Sequence, residues 1–334
     1  MQSFPDLKHS LNRSFTGCDG YRVTHQYEQV SSLRFNKQTH FEIKPLDLND
    51  DSLLQRALEV HEQAFPGSPG LERQLRHNTR DAPKGTVFFG AFDGNRLVGL
   101  NGFIRHSIIM ENRRLGAYQS CSTATDPAYR GRGIFSSIVR HAQRALAAEG
   151  LFICGFPNDN SGPIFTGQLG FQQIHLVRLA IPGVLMESLC SHLTKQAAVL
   201  RPRQTRPTTF FDQAELIEWK RSPSGKSISV HSFSGVTIWG CEYRKIVAGM
   251  KISAFAVGGI GIGENKSSIA IVKDPSYFHR PFYYSIVTAF DSPVVQAVRH
   301  RSVRNDSGIF IYYPMQPLGD HPQFEVSGGL ADFY

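Results

Sequence analysis

Arg130-Gly131-Arg132-Gly133 places two cations and two glycines in one short turn, directly ahead of a helical pattern. Such a turn can hold a pyrophosphate. The first turn of a helix has N–H groups without intrahelical partners and carries the positive end of the macrodipole. Glycines at 131 and 133 keep side chains out of the way, so the backbone can close on the phosphates. Arg130 and Arg132 add charge of the required sign.

Other chemistries fit less well. A P-loop needs Gly-Lys-Ser/Thr at its end, which is absent, and the Gly-x-Gly-x-x-Gly spacing of a dinucleotide fingerprint fails. The five cysteines, at 18, 121, 154, 190 and 241, form no Cys-x-x-Cys pair. His61-Glu62 has no second histidine at metalloprotease spacing, so the thirteen histidines predict no metal site.

The elements around the turn are ordered to position it. A β-prone run over residues 118–125 meets the breaker Asp126-Pro127. After the turn, Ile134, Ile138, Ala142 and Leu146 recur at helical spacing. Gly150 reads as the C′ residue of that helix. Residues 151–156 read as a buried strand, and Leu169-Gly170-Phe171 leads into a further strand over residues 172–176. Upstream, residues 87–103 read as two strands around an Asp93-Gly94-Asn95 hairpin turn, and residues 51–64 as a helix. Further on, residues 184–200 and 212–219 look helical, with strands at 227–232, 235–243 and 246–257. The glycine run over residues 258–263 has no helix after it and reads as a hairpin or bulge.

The segment from Arg130 to Gly133 resembles the acetyl-CoA signature of the GNAT N-acetyltransferase superfamily, Arg/Gln-x-x-Gly-x-Gly/Ala. Arg130 and Gly133 match its first position and central glycine, and Phe135 departs from its last. Asn160 and Leu169-Gly170-Phe171 fit the order in which the family closes its cofactor half, so the resemblance covers about residues 40–177. It implies an α/β (α+β) fold, with a mixed central sheet flanked by helices. It implies acetyl-CoA as the acyl donor. The pyrophosphate would be held by Arg130, Gly131, Arg132, Gly133, Ile134, Phe135 and Ser136, and the pantetheine by Thr123, Ala124 and Thr125, with Asn160 and Phe165 nearby. The acceptor would be a primary amine, such as an amino sugar or another small amine. Its base would be a carboxylate, with Glu62, Glu111 and Asp332 as candidates. Tyr118 would either line the acceptor pocket or pack in its strand. Thr166 stands where many members carry a tyrosine acid. Leu216-Ile217-Glu218-Trp219-Lys220 is similar to a segment of two-lobed GNAT proteins from bacterial polysaccharide gene clusters, which implies a second GNAT-like lobe.

Length and composition bound these expectations. A chain of 334 residues suggests more than one lobe. The expected divisions are an arm over residues 1–39, a catalytic domain over 40–177, a connecting segment over 178–209 and a second lobe over 210–334. No apolar run reaches the ~18–20 residues of a membrane span. Residues 1–21 are polar, without the apolar core of a secretory signal. With so few cysteines, a reducing cytoplasm is expected. The net charge of +8 suits an anionic ligand such as CoA. Nucleic acid would call for a denser basic face interleaved with aromatics. A monomer or homodimer is expected. Two other readings stay open: a non-catalytic CoA-binding regulatory or scaffold protein, and an aminoacyl or long-chain acyl transferase on a similar scaffold.

Overall fold

The computed structural model describes residues 41–110, 113–200, 208–222, 225, 227–233, 236–247, 249–262, 281–289, 292, 294–295, 303–318 and 323–326. The described residues belong to one compact unit.

Helix α1 (Asp51–Ala64) starts where Asp50 caps it, its carboxylate accepting from the N–H groups of Ser52 and Leu53 at 2.7 and 3.1 Å. Leu54, Ala57, Val60 and His61 form its buried face. Helix α2 (Leu71–Thr79) follows and buries Leu75, His77 and Asn78. After strands β1 (Glu42–Pro45, ahead of α1), β2 (Val87–Asp93), β3 (Arg96–Met110) and β4 (Arg113–Thr125) comes helix α3 (Ile134–Ala145). Its buried residues Ile134, Ile138, Val139 and Ala142 lie on one stripe. Strand β5 (Phe152–Gly155), helix α4 (Gly162–Gln168) and strand β6 (Gln172–Pro182) complete the first half.

Alternate residues of β2 face opposite cores, as the pleat requires. Phe89 and Ala91 pack with α3, whereas Phe88 packs with α1 and α2. Phe92 follows the same alternation onto the α1 face, and the register shift between Ala91 and Phe92 falls on β3, where Val98 is the extra residue.

The second half begins with helix α5 (Met186–Leu200), strand β7 (Thr208–Phe211) and helix α6 (Gln213–Lys220), whose cap is Asp212. Strands β8 (Ser229–Phe233), β9 (Val236–Val247), β10 (Met250–Ile262), β11 (Tyr283–Ala289), β12 (Val303–Pro314) and β13 (Gln323–Glu325) follow. Among the described residues all the strands join one mixed sheet, in the order β1-β2-β3-β4-β5-β12-β6-β11-β10-β9-β8, with β7 branching from β3 and β13 pairing with β7. Strand β12 therefore lies between two strands of the first half. It pairs antiparallel with β5 (Ile311 opposite Gly155) and with β6 (Phe310 opposite Ile174). Helix α6 docks on α2: the Trp219 indole N–H donates to the His77 carbonyl at 3.2 Å and the two rings stack at 4.8 Å. The glycine run sits inside β10, where the register with β9 shifts between Val257 and Gly259, so it is a bulge rather than a turn.

One expectation is corrected. Gly150 does not cap the long helix, because α3 ends at Ala145 with Leu146 as its cap. What constrains Gly150 is packing: a Cβ there would lie 2.6 Å from the Met315 methyl and 2.8 Å from the Tyr118 ring.

Candidate active site

Strands β4 and β5 run parallel but pair at only two positions, Tyr118 with Ile153 and Gln119 with Cys154. Beyond Gln119 they part, while β4 stays bonded to β3 as far as Thr125. One edge of residues 120–125 is thus left without a strand partner among the described residues. A bulge lies in this stretch: the register with β3 jumps from Leu100–Ala124 to Gly102–Cys121. Ser122 takes φ +46°, the only non-glycine residue with positive φ among those described. Such a residue costs on the order of 1–3 kcal/mol and persists only where its surroundings hold it. Here Asn78 Nδ2 donates to Ser122 Oγ at 2.9 Å. Behind the bulge, Asn101 is fully buried, and its side-chain Oδ1 accepts from Thr123 Oγ1 at 2.8 Å.

Strand β4 leads through Asp126, whose carboxylate accepts from the Ala128 N–H, into the glycine turn. Gly131 and Gly133 take φ +75° and +74°, and a Cβ on either would meet nothing within 4 Å. Positive φ is what demands glycine here, and the space beyond is open. No side chain caps α3. The first bonded amide of its ladder is Ser137, donating to the Gly133 carbonyl at 2.9 Å. The amides of Ile134, Phe135 and Ser136 are therefore presented in the manner of a helix first turn. Arg130 and Arg132 are exposed; Arg130 is anchored on the Ala64 carbonyl at 3.1 Å and Arg132 on the Ala128 carbonyl at 3.2 Å. Backbone amides, two exposed guanidinium groups and a positive helix end thus lie close together at the end of β4, the strand that diverges from β5.

The other expected residues scatter. Ile134 and Ser136 are buried, so they face a ligand with backbone amides rather than side chains. Phe135 meets Phe165 edge-to-face at 5.1 Å. Phe165 is itself a core residue, packed on Phe171 at 4.7 Å. Asn160 is exposed in the loop before α4. Tyr118 is fully buried, and its hydroxyl donates to Glu149 at 3.2 Å. Burial and then the Glu149 charge push its phenol up, so it keeps its proton. Glu62 is exposed on the outer side of α1 and accepts from the Gly67 N–H at 3.0 Å. Glu111 and Asp332 lie outside the described residues.

Sequence reasoning weighed His61, the neighbour of Glu62, only as a possible metal ligand. A cavity of about 200 Å³ is lined by His61, Phe65 and Ser68, by Leu71, Gln74 and Leu75 of α2, and by Ser122 of the bulge. His61 is only 4% exposed, and neither ring nitrogen has a hydrogen-bond partner among the described residues. Burial pushes its imidazole down to about 4; the Ser122 backbone opposes that only in part. The ring is accordingly neutral at neutral pH. The helical phase is the signal that could have found it: Leu54, Ala57 and His61 stand at i, i+3 and i+7 on the buried face, which leaves Glu62 outside.

Thr166, at the expected acid position, is half-buried and donates to the Gly162 carbonyl at 3.1 Å, one turn back in α4. Its hydroxyl is satisfied within its own helix. Thr166→Ala is therefore expected to change turnover by less than about fivefold, against the 10²–10⁴-fold of a working acid. Steady-state kinetics of the variant check this, and a drop of a hundredfold or more would assign the proton to the threonine. The thiols Cys154 and Cys190 are buried, which pushes the latter up to about 12 and the former higher still, so neither is a nucleophile.

A strand that diverges from its neighbour, bulges, and delivers the chain to a glycine-lined helix start belongs here to a fold of the acetyltransferase class. Residues 46–174 match the acetyltransferase (GNAT) domain, and the chain carries a GNAT domain with the GNAT fold. No curated protein matches the chain by sequence. Solved structures do. A GCN5-related N-acetyltransferase from Kribbella flavida superposes with TM-score 0.55 at 13% identity, covering 82% of this chain and 72% of that one. A protein of unknown function from Enterococcus faecalis, described as a probable N-acyltransferase, gives 0.54 at 13%, covering 83% and 73%. A GCN5-related N-acetyltransferase from Anabaena variabilis gives 0.54 at 10%, covering 82% and 73%. At such identities the likeness is one of fold, and its coverage reaches well past residue 174. The GNAT domain supports acyl transfer as the general activity.

Proposed function

We propose that the chain moves an acetyl group from acetyl-CoA to the nitrogen of a small primary amine, as a cytoplasmic N-acetyltransferase. The observation that carries this reading is the unpaired edge of β4, which runs directly into the uncapped start of α3. The pyrophosphate binds the amides of residues 131–136, with Arg130 and Arg132 supplying charge. The pantetheine pairs with Thr123, Ala124 and Thr125 as an added strand would. That places the thioester near the bulge, where a β4 amide supports the oxyanion of the tetrahedral adduct. The amine nitrogen forms the new C–N bond, the C–S bond breaks, and the proton lost by nitrogen ends on the thiolate. CoA thiolate, near cysteine in basicity at a pKa of about 8.5, leaves without a strong acid beside it. Residues 40–177 carry this chemistry in the proposed division, and residues 210–334 serve as a second, GNAT-like lobe without a donor site.

Gly133→Glu tests the donor site. The substitution puts an acidic side chain where the phosphates bind and forces φ +74° on a residue with Cβ, at a cost of about 1–2 kcal/mol. Open space around the Cβ leaves the fold standing. Calorimetry is expected to find acetyl-CoA affinity lowered at least a hundredfold, with the thermal transition only a few degrees lower. Unchanged affinity in a folded variant would remove the donor from this turn.

A further inference from the structure

The cavity beside Ser122 has an uneven chemistry. Phe65, Leu71 and Leu75 give it apolar walls, and Phe65 is 45% exposed, as a residue at an entrance would be. Its polar atoms come from neutral groups, and no carboxylate or guanidinium belongs to its lining. An ammonium brought here would leave water without a countercharge, whereas a neutral amine with an apolar body would not. His61 is the second observation. Buried polar atoms are nearly always hydrogen-bonded, and one left unsatisfied costs about 1–3 kcal/mol. Neither nitrogen of His61 has a partner at good hydrogen-bond geometry among the described residues, the Ser122 backbone being only a weak one, and the ring forms part of the cavity wall. It stands ready to accept a hydrogen bond from a ligand N–H.

We propose that this cavity receives the acceptor, that the acceptor is a compact arylalkyl or branched alkyl primary amine, and that His61 takes the proton its nitrogen loses. The inference rests on the acetyl-transfer reading of the same site. A volume of about 200 Å³ suits a body somewhat larger than the benzene that a ~150 Å³ apolar cavity admits. The hydroxyls of a sugar would face Phe65, Leu71 and Leu75, and a nucleotide diphosphate would find no cation in the lining. In the step itself the amine attacks the thioester carbon and becomes more acidic as it gains positive charge. His61 accepts its N–H proton, the C–S bond breaks, and the proton passes from the imidazolium to the departing thiolate. Amide and free thiol are the products, and His61 returns neutral.

The test uses the full chain with acetyl-CoA and four amines: 2-phenylethylamine, 3-methylbutylamine, glucosamine and a uridine-diphosphate amino sugar. Product mass and free thiol are followed together. The two apolar amines are expected to be acetylated with kcat/KM at least tenfold above both sugars. His61→Gln is expected to lower kcat for 2-phenylethylamine by about thirtyfold while KM stays within threefold, the split expected when a proton acceptor rather than a binding group is lost. Leu71→Phe, which fills part of the cavity, is expected to raise KM for 2-phenylethylamine about tenfold with kcat nearly unchanged. Preference for either sugar, or an undiminished kcat in His61→Gln, overturns the inference and leaves acetyl transfer intact. Failure to bind acetyl-CoA, with no transfer to any amine, overturns both readings.

Discussion

A chain shortened to end at Leu200 is expected not to fold. The loss follows from strand order. Strand β5 makes only two register pairs with β4, and its other neighbour is β12, from far along the chain. Removing β12 leaves β5 held by two pairs and exposes the edge of β6. It also empties two cores at once. Phe310 and Tyr312 pack with Phe152 and Phe211 on one face, and Ile311 packs with Ile153 and Tyr118 on the other. Each such side chain contributes about 1.5–3 kcal/mol by burial, and domains of this kind have only about 5–15 kcal/mol in total. Helix α6 is lost as well, and with it the stack of Trp219 on His77 that covers α2. Circular dichroism, gel filtration and urea unfolding of the chain ending at Leu200 are the measurements. The expected result is aggregated or non-cooperative material. A soluble monomer with a sharp transition would show that β12 is dispensable. Ile311→Asp in the full chain probes the same joint by one residue. Burying an unpaired carboxylate where the side chain is now 0% exposed should cost several kcal/mol.

This joint is the part of the fold that the sequence hides. Local signals carry the first half well: glycines at positive φ before α3, the Asp50 cap of α1, the stripe of α3 and the hairpin at Gly94 are each written within a few residues. The pairing of Ile311 with Gly155 joins segments more than a hundred residues apart, and nothing in either strand names its partner. The same limit applies at Ser122. A bulge built on glycine announces itself, but this one is built on serine and held by Asn78 from α2, so its signal is tertiary. Carboxylates draw attention as bases by residue type, which directs the eye to Glu62. Helix phase turns Glu62 outward and His61 inward. For the donor side, glycine spacing already implies the backbone geometry; for the acceptor side, the cavity exists only once α1, α2 and the bulge are packed together.

Acid is expected to unfold this protein well above the pH at which its exposed carboxylates titrate. His61 and His231 are each about 4% exposed, and burial pushes both imidazoles from 6.5 down to about 4. His231, on β8, bonds the Tyr284 hydroxyl at 2.9 Å, and Glu242 stands 3.8 Å from its other nitrogen without overcoming burial. Around His61 the cavity lining holds no second charged group. The sign follows from proton binding. Between pH 6.5 and 4 the unfolded chain binds protons at these histidines that the folded chain refuses, so stability falls as pH falls through that window and levels below it. A lowering of this size corresponds to about 3 kcal/mol per histidine, because one pKa unit is worth about 1.4 kcal/mol. The two residues share no partner, so their contributions should add. Together they approach the whole stability of an ordinary domain. Urea unfolding at half-unit steps from pH 7.5 to 4 is the measurement, made on the wild type, His61→Gln, His231→Gln and the double variant. Each substitution lowers stability at pH 7 by some amount of its own, so the slope is the quantity that decides. Wild-type stability should drop steeply below pH 6.5, each single variant should lose about half of that drop, and the double variant should be nearly flat down to pH 5. Parallel pH profiles for all four proteins would mean that neither histidine is kept neutral by the fold.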